Sequence, residues 1–305
     1  KQMKFTQVTF SVLSALNGSG IRVIPFKGQL LSKKLFNSYT FRESQDIDLL
    51  IHSEDLLLAN AILKGKGFTC ELEIQNWKKW HVKWLQRISP DLLYIRKKDK
   101  VKVELHWSLF NQTGIYPKKT AEIFLDAQKS TNQIDEAAVL THEDELLYLC
   151  IHGTKHSWFR IKWLLDIRQI LINSISEINW QKISDISKRN NNYPALVSSL
   201  LLAHLLFNTP LPKFINIDEL SDETIIALIE DAIHVLSDEN LIHDPINNRM
   251  KQYKKLNYSL GGLKSYLWTF LLTKDDFKLL QLPPSLFWLY FPLRPFMSIY
   301  KKVLK

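Results

Sequence analysis

The segment FRESQDIDLLI, residues 41–51, sets two aspartates one residue apart inside an apolar run. In an extended chain, side chains alternate between faces, so Ile47, Leu49 and Ile51 share one face while Asp46, Asp48 and Leu50 share the other. The Cα atoms of Asp46 and Asp48 then lie ~6.6 Å apart with both carboxylates pointing one way. One face of this strand is core; the other gathers negative charge that repels itself unless a cation joins it. Magnesium suits the position, because it is a hard cation that takes one or two carboxylates together with substrate phosphates.

The chain has 305 residues, room for one large or two ordinary domains with a core that needs no staples. Cys70 and Cys150 are too few and too scattered for a disulfide framework or a zinc cluster, which makes a reducing cytoplasm the expected compartment. No apolar run reaches the roughly 18 to 20 residues that span a bilayer, and no signal peptide opens the chain. The sequence begins at Lys1 rather than Met, so a leading segment is expected to be missing. The formal charge of +9 favours polyanions as partners: nucleotides, nucleic acid or an anionic lipid surface. Its lysines are spread along the chain rather than gathered into a stripe, the distribution of a solvated surface.

Helical spacing from Phe5 to Leu16 stops at NGSG, and IRVIPFKG reads as a strand. QLLSKKLF is a short helix after Gly28, and a helix beginning near Ser53 ends at the glycines of KGKGF. DLLYIRKKDKVKVELHW reads as a hairpin turning at KKDK. Beyond about residue 135 every segment has helical period, so the organisation predicted is α+β: a mixed-sheet domain with flanking helices over 1–135 and an all-helical domain over 136–305. Thr141 and Asp144 form a capping pattern for EDELLYLCIHGTKHSW, and helices also fit IKWLLDIRQILIN, PALVSSLLLAHLLFN, DETIIALIEDAIHVLS and LGGLKSYLWTFLL. SKRNNNYP, NTPLP and IHDPINN punctuate them as loops.

A third carboxylate completes the chemistry. Two metal ions about 3.5–4 Å apart, bridged by such acids, stabilise attacking and leaving oxygens in phosphoryl or nucleotidyl transfer. In VKVELHW, Val101, Val103 and Leu105 alternate with Glu104 and His106, putting the last two on the polar face of another strand. Lys27 and Gly28 close one strand and open a helix, an arrangement that lets backbone N–H groups and a lysine approach phosphate oxygens. Arg42 enters the acidic strand four residues before Asp46, within reach of that acid or of a triphosphate.

At these residues the chain resembles the polymerase β-like nucleotidyltransferase superfamily, with its glycine turn, its Asp-x-Asp strand and its later third acid. The closer likeness is to an uncharacterised bacterial nucleotidyltransferase family, whose apolar-Lys-Gly turn and acid-His-Trp strand end are similar to PFKGQLL, RESQDIDLLI and VELHW here. HGTKHSWFRIKWLLDI and LPPSLFWLYFPLRP extend the similarity over nearly the whole chain. The resemblance implies Asp46, Asp48 and Glu104 as metal ligands, with Glu104 also the base for an incoming hydroxyl. Lys27, Gly28 and Arg42 would be phosphate contacts. The usual Gly-Gly or Gly-Ser pair is replaced by Lys27-Gly28-Gln29, so a serine that would touch the triphosphate is absent.

His152 and His156 share a helix face. A catalytic zinc helix needs a glutamate beside the first histidine, and Gly153 stands there. Two readings remain: histidines hydrogen-bonded between helices, or His152, Lys155, His156 and Arg160 projecting toward the anion over the metals. Asp166 is expected to orient a basic partner. The terminal FWLYFPLRPFMSIYKKVLK combines aromatic and basic residues, with Pro292 and Pro295 expected to interrupt any long helix and the aromatics to pack against the helical domain. The expected activity is nucleotidyl transfer from an NTP, with ATP and two magnesium ions, to an acceptor that is a small molecule. The alternatives are a toxin acting on RNA and an inactive nucleotide-binding protein.

Overall fold

A computed structural model describes residues 2–72, 78–110, 115–129, 137–215, 221–238, 273–280 and 282–303. The first unit runs α1 (Gln2–Gly18), β1 (Val23–Pro25), α2 (Gly28–Phe36), β2 (Ile47–Ile51), α3 (Leu56–Gly65), β3 (Thr69–Cys70), α4 (Lys79–Ile88), β4 (Asp91–Arg96), β5 (Val101–His106) and α5 (Thr120–Asp126). A two-stranded ribbon, β6 (Gln128–Lys129) with β7 (Ala138–Val139), leads to α6 (His142–Lys155), α7 (Ile161–Ser174), α8 (Trp180–Arg189), α9 (Tyr193–Phe207) and α10 (Glu223–Ser237). Among the described residues two further helices follow, α11 (Lys274–Leu279) and α12 (Tyr290–Val303). The architecture is α+β with a helical later region. Residue 135 lies outside the described residues, between the strands of the ribbon, as do the segments LGGLKSYLWTFLL and IHDPINN.

The five-stranded sheet has the order β1-β2-β5-β4-β3, with β2 and β5 parallel and every other pairing antiparallel. The hairpin turns between Arg96 and Val101, where Lys100 takes a left-handed φ of 57° and Arg96 Nη2 pairs with Asp99 Oδ2 at 2.7 Å. Alternation along β2 feeds two separate cores. Ile47, Leu49 and Ile51 join α1, α3, α4 and the inward faces of β4 and β5; Leu50, with Ile24 and Phe26, joins α2 and the helices of the second region. The sheet is therefore a partition, with apolar packing on both sides of its β1–β2 half.

Helix α6 starts where Thr141 Oγ1 accepts the Asp144 N–H at 3.1 Å, and its first turn carries Glu143, Asp144 and Glu145 at the positive end of the helix dipole. After α6 the backbone takes two consecutive left-handed residues, Ser157 (φ 49°) and Trp158 (φ 54°). The Trp158 indole then lies over Gly153 so closely that a Cβ there would overlap the ring. Glycine at 153 is thus required by packing, and the tight turn swings Phe159 and Arg160 back toward the sheet.

The C-terminal segment packs elsewhere than its composition suggests. Phe277, Tyr290 and Met297 belong to the core of α1, α3, α4 and the sheet, not to the helical region. Lys274 fixes this return by pairing with Asp91 Oδ1 at 2.6 Å and Glu71 Oε1 at 2.9 Å. The expected interruption at Pro292 and Pro295 does not occur: α12 runs through both. Pro292 falls in the first turn, where the missing N–H had no helical acceptor to lose, and Pro295 removes a single internal bond.

Candidate active site

Parallel pairing of β2 with β5 sets Asp48 opposite Glu104, side by side on one face of the sheet. Antiparallel pairing of β4 with β5 sets Asp91 opposite His106. The same face that is apolar at Ile24 and Leu50 thus becomes polar at Asp48, Glu104, His106 and Asp91. These four, with Asp46 from the loop entering β2, form the floor of a cleft of about 480 Å³. The opposite wall is built by α6, the Ser157–Trp158 turn and the start of α7, and contributes Tyr148, His152, Lys155, His156, Phe159, Arg160, Lys162 and Trp163.

Ligand atoms of Asp48, Glu104 and His106 all lie within 4.8 Å of one another. Lys27 Nζ stands 3.2 Å from Asp48 Oδ1, and His106 Nε2 stands 3.3 Å from the same oxygen and 3.5 Å from Glu104 Oε2. Burial alone would raise the Asp48 pKa, but Lys27 and His106 outweigh it and hold this carboxyl well below the usual range. For Lys27, burial acts to lower the pKa; Asp48 and the Tyr148 hydroxyl reverse that and keep the ammonium charged. Burial also opposes charge on His106, yet Asp48, Glu104 and Asp91 hold the imidazole up at about 9. Neither of its buried ring nitrogens makes an aligned hydrogen bond, so the charge contacts are close without being satisfied.

Asp46 differs from the set expected with it. Its carboxylate is outside the tight Asp48-Glu104-His106 group, because the residue precedes the strand and its carbonyl and Oδ1 accept from Ser44 Oγ at 2.8 and 3.2 Å. It still feels the others: burial, then Asp48 and Glu104, raise its pKa. The donor set fits a divalent cation. Two carboxylates converge with an imidazole that would give up its proton to bind a cation, a third carboxylate is electrostatically strained by them, and two buried ring nitrogens lack aligned partners.

Lys27 precedes α2 in extended conformation, and Gly28 takes φ +68°, a left-handed turn that a side chain rarely adopts. Arg42 lines the cleft but is not paired with Asp46. Its Nε donates to both oxygens of Asp166 on α7, at 2.9 and 2.8 Å, in an ion pair buried on both sides. Together with Lys162 Nζ donating to the Glu43 carbonyl at 2.8 Å, this ties the loop carrying Asp46 to the helical region.

The two histidines form part of an aromatic wall rather than half a zinc site. His152 lies 4.8 Å from His156 and 4.8 Å from Trp163 between ring centroids, and burial together with Lys27, His156, Lys155 and Arg42 pushes its pKa well down. His106 and Asp91 carry no assigned role in the sequence reading. The signal for His106 was present in the alternation of VKVELHW; that for Asp91 was not, since only strand pairing brings it to His106.

The profile of the family described as uncharacterised nucleotidyltransferase, NTP_transf_5, matches residues 1–208, which include every sheet residue and the whole cleft. The chain belongs to this family, and its chemistry is transfer of a nucleotidyl group. The chain is also similar to a solved structure, that of the antibiotic-resistance factor ANT(2'')-Ia in solution, at 13% identity, covering 61% of this chain and 91% of that one with a TM-score of 0.42. No curated protein matches it. Among the described residues no helix is long and apolar enough to cross a membrane.

Proposed function

We propose that the chain moves a nucleoside monophosphate from a nucleoside triphosphate, ATP being the expected donor, to an acceptor hydroxyl with release of pyrophosphate. The observation that carries this reading is the register of Asp48 against Glu104, on the floor of a cleft whose facing wall is cationic. Held by Asp46, Asp48 and Glu104, with His106 beside them, a pair of magnesium ions would supply neutralisation of the phosphate charge that redistributes in transfer. Glu104, whose side chain is one-third exposed, would take the acceptor proton. Lys27 and the N–H groups opening α2 at Gly28 face the phosphates, with His152, Lys155 and His156 across from them. Arg42 holds the Asp46 loop in place from behind through Asp166.

The test is transfer of label from triphosphates in the presence of magnesium and a cell extract. Asp46→Ala and Asp48→Ala should each abolish transfer while the fold persists, and full activity in either refutes the assignment. Glu104→Gln should keep nucleotide binding and lose most turnover. The net charge of +9 supports a second reading, an RNA acceptor. Transfer that falls steeply with salt, as counterion release demands, would select it over a small acceptor.

A further inference from the structure

The charges lining the cleft are segregated. All four carboxylates, Asp46, Asp48, Asp91 and Glu104, come from the sheet side, whereas the helical wall supplies three lysines and arginines and, among the described residues, no acid. Several of these charges are already matched. Lys27 faces Asp48, Arg42 faces Asp166, and Asp91 is held by Lys274 from outside. The wall's cations also divide between two ends. Lys155 is on the side of Lys27: its Nζ lies 5.7 Å from the Phe110 ring, which packs 5.3 Å from the Tyr148 ring over which Lys27 Nζ lies at 5.4 Å. Arg160 and Lys162 are on the side of the Asp46 loop: Lys162 reaches the Glu43 carbonyl, and Arg160 lies over the Phe159 and Trp163 rings at 5.2 and 5.8 Å. Burial first, then Arg42 and Arg160, lower the Lys162 pKa against the opposing pull of Asp166 and Asp46.

Resting on the nucleotidyl-transfer reading, we propose that the acceptor is an anion, a hydroxyl compound carrying a phosphate or carboxylate that Arg160 and Lys162 bind at the Asp46 end of the cleft. The triphosphate has its own partners at the Lys27 end, and Asp46, Asp48 and Glu104 would be taken by the ions, which leaves Arg160 facing the cleft with no carboxylate paired to it among the described residues. In the step itself the acceptor oxygen bonds to the α-phosphorus, the bond from that phosphorus to the β-bridging oxygen breaks, the hydroxyl proton passes to Glu104, and pyrophosphate leaves with the electron pair. A polycationic acceptor would meet like charge on this wall and is disfavoured.

The test is calorimetric titration of the full chain, loaded with magnesium and a non-hydrolysable ATP analogue, with three matched three-carbon probes: glycerol 3-phosphate, glycerate and glycerol. An oligoribonucleotide and an aminoglycoside form two further arms. Glycerol 3-phosphate and glycerate should bind at least about tenfold more tightly than glycerol, the size expected of charge-assisted hydrogen bonds. Arg160→Gln should erase that preference while leaving affinity for the ATP analogue within about twofold, and its exposed position keeps the fold intact. Lys162 is left in place because it holds the Asp46 loop through the Glu43 carbonyl. If the oligoribonucleotide outcompetes glycerol 3-phosphate, the anion belongs to nucleic acid; otherwise it belongs to a small acceptor. Equal binding of glycerol, tighter binding of the aminoglycoside, or loss of ATP-analogue affinity in the variant overturns the acceptor assignment. Failure of the analogue to bind the unaltered chain at all would instead overturn the nucleotidyl-transfer reading beneath it.

Discussion

The two faces of the sheet are built from the same strands and do opposite work. On one, Ile47, Leu49, Ile51, Val101, Val103 and Leu105 are buried at 2% exposure or less and belong to a single apolar core. On the other, Leu50 and Ile24 are just as buried, but Asp48 at 3% and His106 at 5% are hidden beside them. Burying a carboxylate that deeply costs several kcal/mol unless partners repay it. The first face stabilises the fold by burial; the second gives up part of that stabilisation to hold charge where a substrate's phosphates arrive.

The comparison can be broken by exchanging what each face loses. Asp48→Ala should leave transfer lower by on the order of 10²–10³ or more, the scale seen when one preorganised electrostatic group is removed. Its urea midpoint should also fall, because Lys27 and His106 are left buried without the carboxylate that keeps them charged, so transfer is compared per folded molecule; unchanged transfer on that basis would mean that Asp48 is chiefly structural. Asp166→Ala leaves Arg42 buried and unpaired and should cost ~3–5 kcal/mol, read as a lowered urea midpoint. Leu49→Ala, next to Asp48 but on the apolar face, should cost ~2–5 kcal/mol while turnover per folded molecule is unchanged. Loss of activity without loss of stability in that variant would collapse the distinction between the faces. The smallest effect is chemical: burial pushes the Cys150 thiol up to about 12, so iodoacetamide at pH 8 should alkylate it slowly in the native chain and readily in urea.

Local pattern carried much of this organisation. Alternation in FRESQDIDLLI and VKVELHW put Asp48 and Glu104 on one face, because period two along a strand decides which side chains share a face, but it misplaced Asp46, which precedes the strand. The hairpin at KKDK and the capped start of α6 were legible for the same local reason. What depended on contacts between distant segments was not. Arg42 finds Asp166 rather than Asp46, and Lys274 finds Asp91, only after helices are docked. The terminal aromatics have the composition of any core, yet Tyr290 is buried while Trp288, Phe291, Phe296 and Tyr300 are exposed, and nothing in their order says which of them enters a core or which core it enters. Pro295 reads as a helix stop because sequence rules count a lost hydrogen bond, whereas packing of Tyr290 and Met297 offsets it.

The closeness of Gly153 to the Trp158 ring has an inherited consequence. Neither position can drift alone: a methyl group at 153 demands a slimmer side chain at 158, and a slimmer side chain leaves a hollow that slackens the bend presenting Phe159 and Arg160. The two must change in concert, so related enzymes that replace the glycine are expected to have surrendered the indole as well, and to grip a differently shaped acceptor.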